Sequence, residues 1–224
     1  MTTIATQQQT ASTPDGVRPA GWPLAGVALG VAPLLLMVAR VLATPMSDAP
    51  RDFISDVHSS AGQTELGAAL AIVAALLLAP TFKGLAQAAR AGSRRIGLAA
   101  GGLTVIGCTG LVLVAAMQAV GARISLQGLS AAQGSGLFDK IWNTGALPVV
   151  APLALACGII GGICLGFALF RSGTVSRTAA VVAGVGTVLV FATAPGPAQP
   201  LLIAAAALAA VGYALAGHQS NSTT

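Results

Sequence analysis

Six apolar segments separated by polar stretches dominate the chain, over about Trp22–Ala43, Thr64–Phe82, Ile96–Val120, Ala146–Phe170, Thr178–Ala194 and Pro200–Gly217. Each is close to the ~20 residues that a helix needs to cross a hydrocarbon core of roughly 30 Å. The pattern predicts an all-α polytopic membrane protein, a six-helix transmembrane bundle over residues 22–217. Polar, Thr-, Gln- and Ser-containing ends at 1–21 and 218–224 read as disordered cytoplasmic tails. The spans pair as three hairpins, 1–2, 3–4 and 5–6; the first two have long outer connections and the third only Pro195–Gln199. Pro33 predicts a kink in span 1, because proline removes a backbone hydrogen bond. The first span is longer than a signal-peptide core and follows a long, weakly basic tail, so it reads as a retained anchor.

Two outer connections carry their own pattern. In the first, Ser47 or Asp48 can cap a helix, Pro50 suits its first turn, and Phe53 and Val57 share a face. This predicts a short amphipathic helix on the outer surface, turning at Gly62 into span 2. The second holds Leu137–Trp142, read as another such turn with Trp142 at interface depth.

Composition strengthens the membrane reading. Of 224 residues, 55% are hydrophobic and 8% charged, where a soluble domain carries roughly 25% charged residues. The net charge of +5 does not indicate nucleic acid, because the basic residues flank apolar spans instead of forming a separate basic domain. Their distribution sets orientation. Lys83, Arg90, Arg94, Arg95, Arg171, Arg177 and Arg18 fall on one side; Arg51, Arg123 and Lys140 fall on the other, with Arg40 near the end of span 1. Basic loops stay in the cytoplasm, so both termini are expected there. The expected partner is the lipid bilayer; a homo-oligomer or a partner membrane subunit stays open.

The clearest motif is glycine spacing. Gly26 and Gly30, Gly97 and Gly101, and the run Gly158, Gly162 and Gly166 recur at four-residue steps. Such residues share a helix face and let another backbone come close, so these are the expected helix-packing positions. Arg40 is the costliest residue in the apolar regions, at about 2.5–3.5 kcal/mol if held at the bilayer centre. Glu65 opens span 2 at the same depth, which leaves three readings: an Arg40–Glu65 ion pair, a polar site facing an outward cavity, or plain snorkelling of Arg40 to the interface. With Asp52, Asp56 and His58, these are the candidate ligand-binding residues. Asp52 and Asp56 share a face but His58 does not, so they read as a solvated helix face and no metal site is expected. Cys108, Cys157 and Cys164 lie inside apolar runs as small hydrophobes. No catalytic set and no cofactor fingerprint is readable.

The six spans, the acidic segment after span 1, the Thr64-Glu65-Leu66-Gly67 start of span 2 and the basic Arg90–Arg95 loop together resemble small six-span membrane proteins of unknown function from high-GC bacteria. That resemblance implies a bacterial plasma membrane location and carries no site residue across. The sequence therefore favours a non-enzymatic membrane protein: a transport-related or accessory subunit, or a sensor of a small molecule or lipid. The alternative is a membrane-embedded enzyme acting on a lipid at the outer face.

Overall fold

A computed structural model of the chain describes residues 22–44, 50–90, 92–193 and 199–220. The N-terminal tail, residues 221–224, the Ser47 or Asp48 cap and the surroundings of Gly26 lie outside the described residues, whereas 218–220, expected in a disordered tail, continue the last helix. Among the described residues there are eight helices: α1 (Trp22–Leu42), α2 (Pro50–His58), α3 (Ala61–Ala89), α4 (Arg94–Leu126), α5 (Ala131–Asn143), α6 (Leu147–Ser172), α7 (Arg177–Ala192) and α8 (Gln199–Ser220). No strand occurs among the described residues.

Local chemistry explains the boundaries. Pro50 opens α2 and a proline stands in the first turn of α6, where the missing N–H costs no helical bond. Ser130 and Gln133 close a reciprocal capping box at the start of α5, satisfying donors that the first turn otherwise leaves free. Ser176 accepts from the Ala179 N–H to start α7. Gly173, at φ 66°, ends α6 in the left-handed conformation that glycine adopts without strain. α1 continues as helix through Pro33.

α3, α4 and α6 are long and apolar enough to cross a membrane, at 29, 33 and 26 residues. α7 and the described parts of α1 and α8 are shorter apolar helices. α4, at about 50 Å by helical rise, runs well past the expected end of its apolar segment, to Leu126.

Each long helix packs on the next in the order α1, α3, α4, α6, α7, α8, and α8 returns to α1. Many of the buried positions are small. Along α3, Ala68, Ala71, Ala74, Ala75 and Leu78 face inward, while Val73 and Leu76 face out. α6 likewise buries Gly158, Gly162 and Gly166 and exposes Ile160, Ile163 and Phe167. Many large apolar side chains are thus left outside, while the inner seams are rich in Ala and Gly with Leu and Phe such as Leu78, Phe82 and Leu165 between them. Broad exposed apolar surface of this kind marks contact with another apolar phase, and small residues let helices approach in lipid. The chain is therefore membrane-associated.

The glycines make that approach literal. A Cβ at Gly107 of α4 would stand 2.5 Å from the Gly158 Cα of α6, and one at Gly166 would stand 2.9 Å from the Gly184 Cα of α7. A Cβ at Gly162 would meet the Val188 backbone nitrogen at 3.1 Å, and one at Gly101 the Ala86 Cβ of α3 at 2.8 Å. Gly97 lies against the Ala86 carbonyl and Gly30 against Ala209 of α8.

α2 and α5 pack together beside the C-terminal turns of α4. Phe53 and Val57 share the face expected of them, but that face is fully buried on protein. Phe53, Ile54 and Val57 meet Met117, Ala122 and Ile124 of α4 and Phe138 of α5. The Phe53 and Phe138 rings lie 5.3 Å apart, within the range of a favourable aromatic pair. The chain turns at Ser59–Ser60 rather than at Gly62, which is already inside α3. The segment read as a turn at Leu137–Trp142 belongs to the 13-residue α5.

Candidate functional site: a buried arginine beside the α2/α5 cap

On α1 the inward stripe is Leu29, Ala32, Leu36, Ala39 and Ala43, at steps of three and four. Arg40 sits four residues after Leu36, so helical geometry turns it inward with them. It is 7% exposed. Snorkelling to a water interface is not what this side chain does.

Its partner is Gln118 of α4. Arg40 Nη1 donates to Gln118 Oε1 at 3.4 Å, and Gln118 Nε2 donates to the Thr44 carbonyl at 3.3 Å. Those two partners fix the orientation of the Gln118 amide. The Thr44 N–H donates to Thr64 Oγ1 of α3 at 3.2 Å. Thr44 Oγ1 lies 2.9 Å from Ser60 Oγ and 3.0 Å from Thr64 Oγ1. A continuous polar chain therefore links the ends of α1, α4 and α3. Arg40 Nε is buried without a hydrogen-bond partner among the described residues.

The expected Arg40–Glu65 pair does not form. Glu65 is paired instead with Arg123 of α4. Arg40 in the last turn of α1 and Glu65 near the start of α3 do lie at adjoining helix ends; angle around the helix decided the outcome. Thr64 is fully buried, and one residue further, a rotation of roughly 100°, puts Glu65 toward the periphery. α4 continues past Val120, which brings Arg123 within its reach.

The other acidic candidates lie apart. Asp52, Asp56 and His58 occupy the exposed side of α2, opposite Phe53 and Val57. The structure does not bring them to Arg40. Among the described residues, no three His, Cys, Asp or Glu side chains come close enough to hold a metal ion. Thr81, Thr104 and Thr187 return their hydroxyls to carbonyls of their own helices.

Chemically, the site offers a guanidinium held, among the described residues, by one neutral acceptor, with hydroxyls and an amide beside it. An arginine in this position presents N–H donors and positive charge with no proton to give at ordinary pH. It suits holding an oxygen acceptor or an anion. Among the described residues, no side chain bonded to it is a general base or a nucleophile. Gln118, Thr44, Thr64 and Ser60 were not singled out as a group by their sequence. The available signal was the phase of Arg40 on α1, which matches the buried alanines and leucines.

Comparison with family models, curated proteins and solved structures finds no match to this chain.

Proposed function

We propose that this protein is a six-span plasma membrane protein with cytoplasmic termini that binds a small anionic or oxygen-rich ligand at Arg40. It acts as a sensor or transport-accessory subunit, without covalent chemistry of its own. The carrying observation is the buried Arg40 guanidinium, whose Nε lacks a partner among the described residues. A buried charge with incomplete hydrogen bonding is costly, and intramembrane charges of this kind mark functional positions. The α2/α5 cap packs on the C-terminal turns of α4, next to the polar chain that reaches Ser60. The enzyme reading needs Asp52, Asp56, His58 and Glu65 to converge, and the exposed positions on α2 give it no support.

Topology is tested by reporter fusions. Those at Ala88 and Thr174 should report the cytoplasm, and one at Ser130 the exterior; an external signal at Ala88 would overturn the orientation. Binding is tested by thermal stabilisation of the purified protein with acetate, bicarbonate and inorganic phosphate. At least one should stabilise the wild type and not Arg40→Met. Stabilisation that persists in Arg40→Met, or none with any of the three, would sink the ligand reading.

A further inference from the structure

The close approach of α6 and α7 leaves a groove on their outward side. Its floor is Gly166 and Gly184, and Phe167 and Phe170 of α6 face Val181 and Val185 of α7 across it. The groove is open and almost wholly apolar, with a volume of about 390 Å³, in the size range of small-ligand sites. Its existence follows from the glycines. Where two backbones touch without side chains, the larger neighbours on each helix stand as ridges around an unfilled channel.

One end of this channel is positively charged. The Arg171 guanidinium lies over the Phe167 ring at 5.8 Å, and the Arg177 guanidinium over the Phe170 ring at 5.5 Å. The walls of the groove thus hold both cations at its mouth, on either side of the α6–α7 turn. The α3–α4 turn abuts the same end, since a Cβ at Gly92 would stand 2.5 Å from the Ser172 nitrogen. Arg94 and Arg95 follow at the start of α4 and add to the positive potential. The described acids Asp52, Asp56, Glu65 and Asp139 sit on α2, at the start of α3 and on α5, away from this turn.

An apolar channel with paired arginines at its mouth has the polarity of a phospholipid: acyl chain below, phosphate above. We infer that the α6/α7 groove is a binding site for an anionic phospholipid, with the acyl chain against Gly166 and Gly184 and the headgroup between Arg171 and Arg177. The inference rests on the membrane reading above, under which this turn lies at the cytoplasmic leaflet. Anionic lipids concentrate there, and basic pockets between helices hold their headgroups.

The test uses the full chain in nanodiscs of phosphatidylcholine, alone or mixed equally with phosphatidylglycerol. Lipids retained after extraction are counted by native mass spectrometry. Two arginines beside an anionic headgroup should enrich phosphatidylglycerol by roughly 30-fold. Arg171→Gln/Arg177→Gln should return retention to near parity. Val185→Trp, at a half-exposed position, should lower retention of both lipids by filling the channel. Inorganic phosphate should not displace the retained lipid. Parity in the wild type, preference surviving in the double variant, or displacement by phosphate would each overturn the assignment. Full incorporation into phosphatidylcholine discs without a preference would overturn the lipid site alone. Failure to enter either disc would overturn the membrane reading and the site with it.

Discussion

Removing Gln118 should harm this protein more than removing the arginine it serves. Gln118→Leu deletes the acceptor of Arg40 Nη1 and the donor to the Thr44 carbonyl. The first bond is charge-assisted, worth about 1.5 kcal/mol at the lower end because its 3.4 Å length is near the limit for a hydrogen bond. The second contributes about 1 kcal/mol. The variant also leaves a guanidinium buried with still fewer acceptors, so a loss of about 3 kcal/mol is expected. Arg40→Met deletes one of the same bonds but also removes the buried charge and its unpartnered Nε. It should stay within about 1 kcal/mol of the wild type. The double variant replaces both partners by apolar groups of similar size, and it should return close to the wild type. Unfolding in detergent can be followed through the buried Cys108 thiol once the partly exposed Cys157 and Cys164 are replaced by Ala in every variant compared. At about 2–4 °C per kcal/mol for a chain of this size, Gln118→Leu should melt about 6–12 °C below the wild type. Additive losses in the double variant, or Arg40→Met melting below Gln118→Leu, would refute the view that Gln118 serves mainly to hold a costly cation.

Three further outcomes follow from the packing. Gly166→Leu should cost at least 1–3 kcal/mol as an overpacked contact, while Ala156→Leu on the exposed side of α6 should be silent; equal melting temperatures would make the Gly166–Gly184 approach incidental. Glu65→Gln should shift stability by less than about 1 kcal/mol, since its Arg123 partner is largely exposed, and high salt should erase the difference; a larger, salt-insensitive loss would show a buried pair. Phe53→Ala empties the centre of the α2/α5 cap, so amide exchange should accelerate in α2 and α5 and leave the middle of α4 protected; uniform acceleration would show that the cap and the long helices unfold together.

The long helices were legible because each is a sustained apolar run bounded by polar stretches. The six apolar segments coincide with α1, α3, α4, α6, α7 and α8 to within a few residues at most of their ends. The excess length of α3 and α4 was not legible. Lys83 and Gln87, like Arg123 and Ser125, look like loop residues, yet α3 continues through the first two to Ala89 and α4 through the last two to Leu126. α2 was readable from Pro50, Phe53 and Val57, but not what it would lie on. Amphipathicity gives a face without naming its neighbour, and protein on α4 supplied the apolar surface that a bilayer was expected to offer. At the site, Arg40 stood out by cost alone, whereas its partner depended on rotation about three separate helix axes. The capping box at Ser130 and Gln133 was present in plain sequence and would have lengthened the second outer segment to its observed extent.

The glycine and alanine seams have a thermal consequence. Side chains without rotamers lose no rotational freedom when helices dock, so assembly along α4, α6 and α7 starts with a small entropic penalty. Nor does docking inside a bilayer move apolar surface out of water, which is the source of the large heat-capacity change in soluble folding. What remains is dispersion between closely set backbones, an enthalpy that varies little with temperature. Separation of these helices within the membrane should therefore follow a nearly straight free-energy line on warming, without the dome-shaped curve or the cold limit of a water-soluble protein.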